Sequence, residues 1–136
     1  MSKKITGGCL CGQVRYELSG PFGQFHWCHC KRCRKSTGSA HAANIFFKPK
    51  QLNWLSGENL IKRYELPQAK RFSKSFCSHC GSLLPCVSRD GATMCLPAGS
   101  LDDDPQIRPD DNIFWAERSA WYDDGLVAEK FSAYPE

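Results

Sequence analysis

Cys28-His29-Cys30-Lys31-Arg32-Cys33-Arg34-Lys35 places three thiols within six residues and sets them among four cationic side chains. Three cysteines this close cannot all be ordinary core residues, because each leaves one short turn in a different direction. Convergence on a metal ion is the better account. Zinc that does chemistry is held by three protein ligands with a fourth position open, whereas structural zinc is closed by four Cys or His. The spacing leaves two forms open: a three-thiolate site with a free position, or a closed knuckle completed by His29 or a distant residue. Lys31, Arg32, Arg34 and Lys35 favour thiolate over thiol and attract an anionic substrate.

A chain of 136 residues is long enough to bury its own core, and residues 1–136 read as one domain. No long apolar run occurs, and Met1-Ser2-Lys3-Lys4-Ile5-Thr6-Gly7-Gly8 has lysines with no apolar segment behind them. Neither a signal peptide nor a membrane helix is expected, and the cytoplasm is the expected compartment. Nine cysteines, an odd number, in a reducing compartment argue for metal ligation over a disulfide framework. The formal charge of +4 counts each cysteine as neutral. Thiolate-bound zinc centres are themselves anionic and bring the chain close to neutrality, which leaves a local basic cluster at residues 31–35 rather than a basic protein.

Outward from the cluster, short strands dominate the pattern. Gly7-Gly8-Cys9-Leu10-Cys11-Gly12 presents a Cys-x-Cys pair between glycines, and Val14, Tyr16 and Leu18 then alternate with polar residues as in a half-buried strand over 13–18. Residues 25–27 read as a strand entering the cluster, and 34–38 as a helical turn closed by Gly38. Further strands are expected over 41–47, 51–55, 60–66 and 69–76, the last anchored by Phe72 and Phe76. Turn residues separate them, notably Ser56-Gly57-Glu58-Asn59.

Cys77-Ser78-His79-Cys80-Gly81 is a knuckle in which amides point at the sulfurs and Gly81 closes the turn with positive φ. It supplies two ligands and needs two more. Cys9 and Cys11 are the natural complement, although 65 residues intervene between Cys11 and Cys77. Such a site staples the start of the chain to its middle, so that metal binding energy becomes folding energy. A redox role for Cys-x-x-Cys needs a thioredoxin-like βαβ context, which is missing. Asp90-Gly91 signals a two-residue hairpin between strands over 83–89 and 92–98. The register then sets Cys86 opposite Cys95, most simply as a pair of small buried hydrophobes. Leu101-Asp102-Asp103-Asp104-Pro105 and Arg108-Pro109-Asp110-Asp111 lack calcium-loop spacing and read as a solvated acidic turn. A last strand is expected over 112–115, Ser119-Ala120-Trp121-Tyr122 should finish the core, and the tail should carry little structure.

Taken in order, Gly8-Cys9-Leu10-Cys11-Gly12-Gln13-Val14-Arg15-Tyr16, the cluster from Cys28 through Gly38, and Cys77-Ser78-His79-Cys80-Gly81-Ser82 resemble the glutathione-dependent formaldehyde-activating family, which includes the domain of centromere protein V. The resemblance implies a mostly β fold, a β-tent of stacked short antiparallel sheets stapled by zinc. It implies Cys9, Cys11, Cys77 and Cys80 as ligands of a structural zinc, and Cys28, Cys30 and Cys33 as ligands of a catalytic zinc with an open position. The activity it implies is that of a carbon-sulfur lyase, joining formaldehyde to the thiol of glutathione as S-hydroxymethylglutathione. Glutathione carries two carboxylates, and Arg32, Arg34 and Lys35 are the cations suited to pair with them.

Two other functions compete with this reading. In one, a zinc-stapled module contacts nucleic acid or an acidic partner through residues 31–35. The basic run is short, residues 102–111 are comparably acidic, and no aromatics interleave with the cations, so nucleic acid is a poor fit. In the other, both zinc sites are closed and purely structural.

Overall fold

The computed structural model describes residues 3–135. From the N-terminus, β1 (Lys4–Gly8) and β2 (Arg15–Ser19) pair antiparallel, with β2 carrying the alternating Tyr16 and Leu18 inward. β3 (Phe25–Cys28) runs into the cysteine cluster, followed by helix α1 (Lys31–Thr37) and β4 (Ala42–Phe47). Then come β5 (Leu52–Ser56), β6 (Ile61–Glu65), β7 (Ser73–Cys77), β8 (Leu83–Leu84), β9 (Cys86–Val87), β10 (Met94–Pro97), β11 (Asp111–Ile113) and helix α2 (Tyr122–Val127).

These strands form three short sheets in the orders β1-β2-β5, β11-β3-β4-β10-β9 and β6-β7-β8. The architecture is the expected mostly β one with few helices. Pairing is antiparallel except between β11 and β3. The first sheet lies on the central one, and their inner faces supply Tyr16, Leu18 and Leu52 on one side and Phe25, Ile45 and Leu96 on the other. Each such side chain taken fully out of water contributes roughly 1.5–3 kcal/mol. Alternation then dictates the outer face of the central sheet. Cys28 beside Ala42, Asn44 beside Pro97, Phe46 beside Cys95, and Cys95 beside Cys86 all point away from that core.

Helix α1 is only seven residues long, too short to persist on propensity alone, and contacts at its ends hold it. The Cys30 sulfur caps it by accepting from the Cys33 amide, and Gly38 at φ 66° closes it by donating to the Arg34 carbonyl. The helix begins at Lys31, three residues before the turn expected from the sequence. Glu117 explains the extension, since its carboxylate accepts from the Lys31 amide and its carbonyl from the Arg34 guanidinium.

Several expectations are corrected. The stretch 83–89 is two strands in two different sheets, because Pro85 has no amide to continue a ladder. The buried positions of β7 are Ser75 and Cys77, while Phe72 and Phe76 are only half-buried. β11 stops at Ile113, where Phe114 turns left-handed at φ 54°. The C-terminal region includes α2, and of the quartet 119–122 only Ser119 and Tyr122 are buried. The acidic segment is not a free turn. Asp102 accepts from Arg15 and the Thr6 hydroxyl, Asp103 from the Thr6 amide and Asp110 from the Phe25 amide, so it straps β1 and β3.

Two left-handed glycines differ in what surrounds them. A Cβ on Gly57 (φ +73°) would run into the Gln13 carbonyl, whereas one on Gly91 (φ +76°) meets open space. Gly91→Ala is expected to cost about 1 kcal/mol from backbone strain alone, and Gly57→Ala clearly more, as read by urea unfolding. The Arg15 hydrogen bond, followed by that from Thr6, holds the Asp102 carboxyl below the ordinary value of 3.8. A lowered folded pKa gives stability that is complete above 3.8 and lost as pH falls through the folded value. Asp102→Asn should therefore destabilise at neutral pH, by no more than about 1 kcal/mol for so exposed a pair. That difference should vanish in acid unfolding profiles below the folded pKa.

Candidate metal centres

Seven of the nine cysteines fall into two groups, Cys9 with Cys11, Cys77 and Cys80, and Cys28 with Cys30 and Cys33, the sulfurs within each lying no more than 4.8 Å apart. The first group joins two sheets. Cys9 and Cys11 follow β1 in a turn where the Gly12 amide bonds to the Cys9 carbonyl, and Cys77 ends β7 in a turn closed by Gly81 at φ +80°. Amides converge on these sulfurs, from Val14 to Cys9 at 3.3 Å and from His79 to Cys77 at 3.4 Å. The sulfurs of Cys9 and Cys11 are 3.5 Å apart and those of Cys11 and Cys77 3.9 Å. A tetrahedral zinc with bonds near 2.3 Å spaces its sulfurs by about 3.8 Å, so the donor set and its spacing fit that ion.

Protons are unevenly shared in this group. The Ser82 hydroxyl and amide, with the Cys11 amide, bring the Cys80 thiol down to about 5. Cys11 is pushed up to about 12: the Gln13 amide opposes the rise, while lost hydration and the neighbouring thiols drive it. A cation among four such sulfurs removes the need for the proton.

The second group sits where β3 hands over to α1. Cys28 ends the strand and is buried, Cys30 caps the helix, and Cys33 is buried in its first turn against Ala42. Hydrogen bonding from Cys33 brings Cys28 down to about 6 against the opposing effect of burial, and the same bond pushes Cys33 up. Among the described residues no fourth donor joins these three. His29, the nearest in sequence, is fully buried with Nε2 on the Asn112 side-chain oxygen at 2.9 Å, and rests edge-on against Trp115 and Tyr122.

A small cavity of 90 Å³ opens beside Cys33 on the outer face of the central sheet, bounded among others by Asn44, Lys74, Ser75, Cys86 and Cys95. The expected register is observed, with Cys95 opposite Cys86, so both remaining cysteines reach this wall. Cys86 is buried, as expected of a small hydrophobe, and the cavity wall is an added feature of the pair that the sequence did not show. Sequence reasoning also missed Asn44, Lys74 and Glu117, none of which sits in a recognisable motif. The signal for Asn44 was its place one residue before the buried Ile45 in β4, hence on the opposite face. The cations of α1 lie elsewhere: Lys31, Arg34 and Lys35 face a separate 360 Å³ cleft with Trp121, and Arg32 is exposed.

Three short sheets, a sheet-joining group of four cysteines and a second group of three beside a cavity define a mostly β protein able to hold metal at two thiol clusters. The chain belongs to the glutathione-dependent formaldehyde-activating enzyme family, whose sequence model matches residues 4–117. A Rhodobacter sphaeroides protein of known crystal structure shares the fold with a TM-score of 0.55 and 23% identity, covering 77% of this chain and 92% of that one. No curated protein matches the sequence. Among the described residues no helix is long and apolar enough to cross a membrane.

Substitutions separate the two groups. Cys77→Ser, which unseats a buried sulfur between two sheets, is expected to lower the melting temperature by roughly 10 °C or more. Cys30→Ser, at a half-buried helix cap, should lower it by only a few degrees. Calorimetry read beside metal content per chain checks both.

Proposed function

We propose that the chain acts as a single zinc-bearing domain, a carbon-sulfur lyase that joins the thiol of glutathione to formaldehyde and reverses that step. The observation that carries this reading is the group of Cys28, Cys30 and Cys33, three sulfurs with no fourth donor among the described residues, of which Cys33 borders a cavity too small for more than the reacting groups. Cys9, Cys11, Cys77 and Cys80 would hold a second, structural zinc. Its four-sulfur set is complete, so it leaves no position for a substrate. Nine free cysteines suit a reducing cytoplasm.

Zinc held by Cys28, Cys30 and Cys33 would supply stabilisation of the substrate thiol in its ionised form. The remaining work belongs to the chain. The substrate sulfur attacks the carbonyl carbon, the carbon-sulfur bond forms, and the carbonyl π pair moves to the oxygen, which is then protonated from water. Asn44 is suited to donate a hydrogen bond to that oxygen, since its side chain borders the cavity on the face that carries Cys28. The hydroxyls of Ser36 and Thr37 are committed, both donating to the Cys33 carbonyl, at 3.2 Å and 2.7 Å. They hold the Cys33 turn rather than the substrate. Phe72, Leu83 and Leu84 line the opposite wall and keep bulk water from the sulfur.

The test is the rate of S-hydroxymethylglutathione formation from labelled formaldehyde, followed by NMR exchange against the spontaneous reaction. The wild-type protein should exceed the spontaneous rate, and Cys30→Ser should fall to it while keeping its circular dichroism spectrum. Full acceleration by a Cys30→Ser protein with one zinc per chain would sink the assignment. Asn44→Ala should lower kcat by roughly tenfold to a hundredfold with KM little changed, as for loss of one preorganised donor.

A further inference from the structure

The cavity beside Cys33, at 90 Å³, admits a thiol sulfur and a one-carbon electrophile but not a tripeptide. The body of a glutathione-sized substrate has to lie in space continuous with it. Cys95 borders this cavity and also a second one of 510 Å³, the size range of small-molecule sites. The outer face of the central sheet runs beneath both, from Cys28 and Ala42 past Asn44 to Phe46 and Cys95.

The charges around the larger cleft are Lys70, Arg71, Arg89 and Asp90. Arg89 is committed to structure. Its guanidinium donates to the carbonyls of Leu66, Ala69 and Phe72 at 3.0, 2.9 and 2.7 Å, fastening that loop to the hairpin at Asp90-Gly91. The loop so fastened carries Lys70 and Arg71, both exposed and with no side-chain hydrogen bond or ion pair among the described residues. Asp90 accepts from the Ser88 hydroxyl and the Ala92 amide, both through Oδ1. These two cations, outside any ion pair among the described residues, and one carboxylate mirror the two carboxylates and one ammonium of glutathione. The Ser88 hydroxyl, with Arg71 near enough to help, holds that carboxylate below its usual range. The α1 cations, by contrast, border a cleft that shares no lining residue with the cavity beside Cys33.

We propose that the cleft at Lys70, Arg71 and Asp90 is the recognition subsite for the charged body of the thiol substrate. Lys70 and Arg71 take the carboxylates and Asp90 the ammonium, while the thiol passes along Cys95 and Asn44 toward Cys33. This rests on the thiol-adduct reading above. It also makes Cys95 a wall of the passage rather than a reacting group, its thiol being pushed up to about 12 by burial.

Calorimetric titration of the zinc-loaded protein with glutathione, glutathione diethyl ester and 2-mercaptoethanol tests it. Wild-type protein should bind glutathione roughly tenfold more tightly than the diester, two exposed ion pairs being lost in the latter. The Lys70→Ala/Arg71→Ala protein should bind glutathione and the diester alike, with 2-mercaptoethanol unaffected and the melting temperature unchanged. If the double variant keeps the wild-type preference for glutathione over the diester, or if Lys35→Ala abolishes that preference instead, the subsite is wrong. A wild-type protein that binds 2-mercaptoethanol but does not distinguish glutathione from its diester refutes the subsite and leaves the thiol reading intact. Failure to bind any of the three thiols refutes both.

Discussion

Like charges brought into contact are the constraint on which this structure turns. Sulfurs gathered within 4.8 Å cannot all ionise unaided. Two unit charges about 4 Å apart repel by about 4 kcal/mol even at an effective dielectric constant of 20. The protein's answer is local and repeated: amides of Val14, His79 and Cys33 donate to sulfur, and hydrogen bonding lowers the pKa of Cys80 and Cys28 while their neighbours Cys11 and Cys33 are raised. A divalent cation at each group meets the same requirement more fully. A cation bound at the first group, which brings together chain from different sheets, would couple its binding to folding.

The central sheet divides its two faces between stability and chemistry. Its inner face, with Phe25, Ile45 and Leu96, closes on the first sheet and leaves little room for polar groups. Its outer face carries Cys28, Asn44, Phe46 and Cys95, and is only partly covered by the third sheet. Cavities persist on that second face because β8 and β9 are two residues each and Pro85 diverts the chain between sheets.

Local stereochemistry made much of this legible. The knuckles at Cys9-Leu10-Cys11-Gly12 and Cys77-Ser78-His79-Cys80-Gly81 need glycine at positive φ, and Gly12 and Gly81 adopt it. Asp90-Gly91 set the hairpin register that faces Cys86 with Cys95, and Gly38 ends α1 where expected. The errors lie where distant chain intervenes. Glu117 reaches back 86 residues to start α1 early, and the aspartates of residues 102–111, taken for a solvated turn, find amides and cations on β1, β2 and β3. Neither contact leaves a periodic trace.

The amino-acid sequence alone determined the number and type of thiol donors, the turns that present them, the family resemblance and the mostly β character. All of these follow from residue chemistry and short-range backbone preference. Only the tertiary structure decided that no fourth donor among the described residues approaches Cys28, Cys30 and Cys33, since His29 is drawn to Asn112 from β11. It likewise decided which cations share a bordering residue, Cys95, with the cavity beside Cys33: Lys70 and Arg71 from a loop fastened by Arg89, rather than the α1 residues adjacent in sequence. Neighbourhood along the chain does not survive a helix, whose successive residues point around its circumference, or a sheet, whose alternate residues leave by opposite faces.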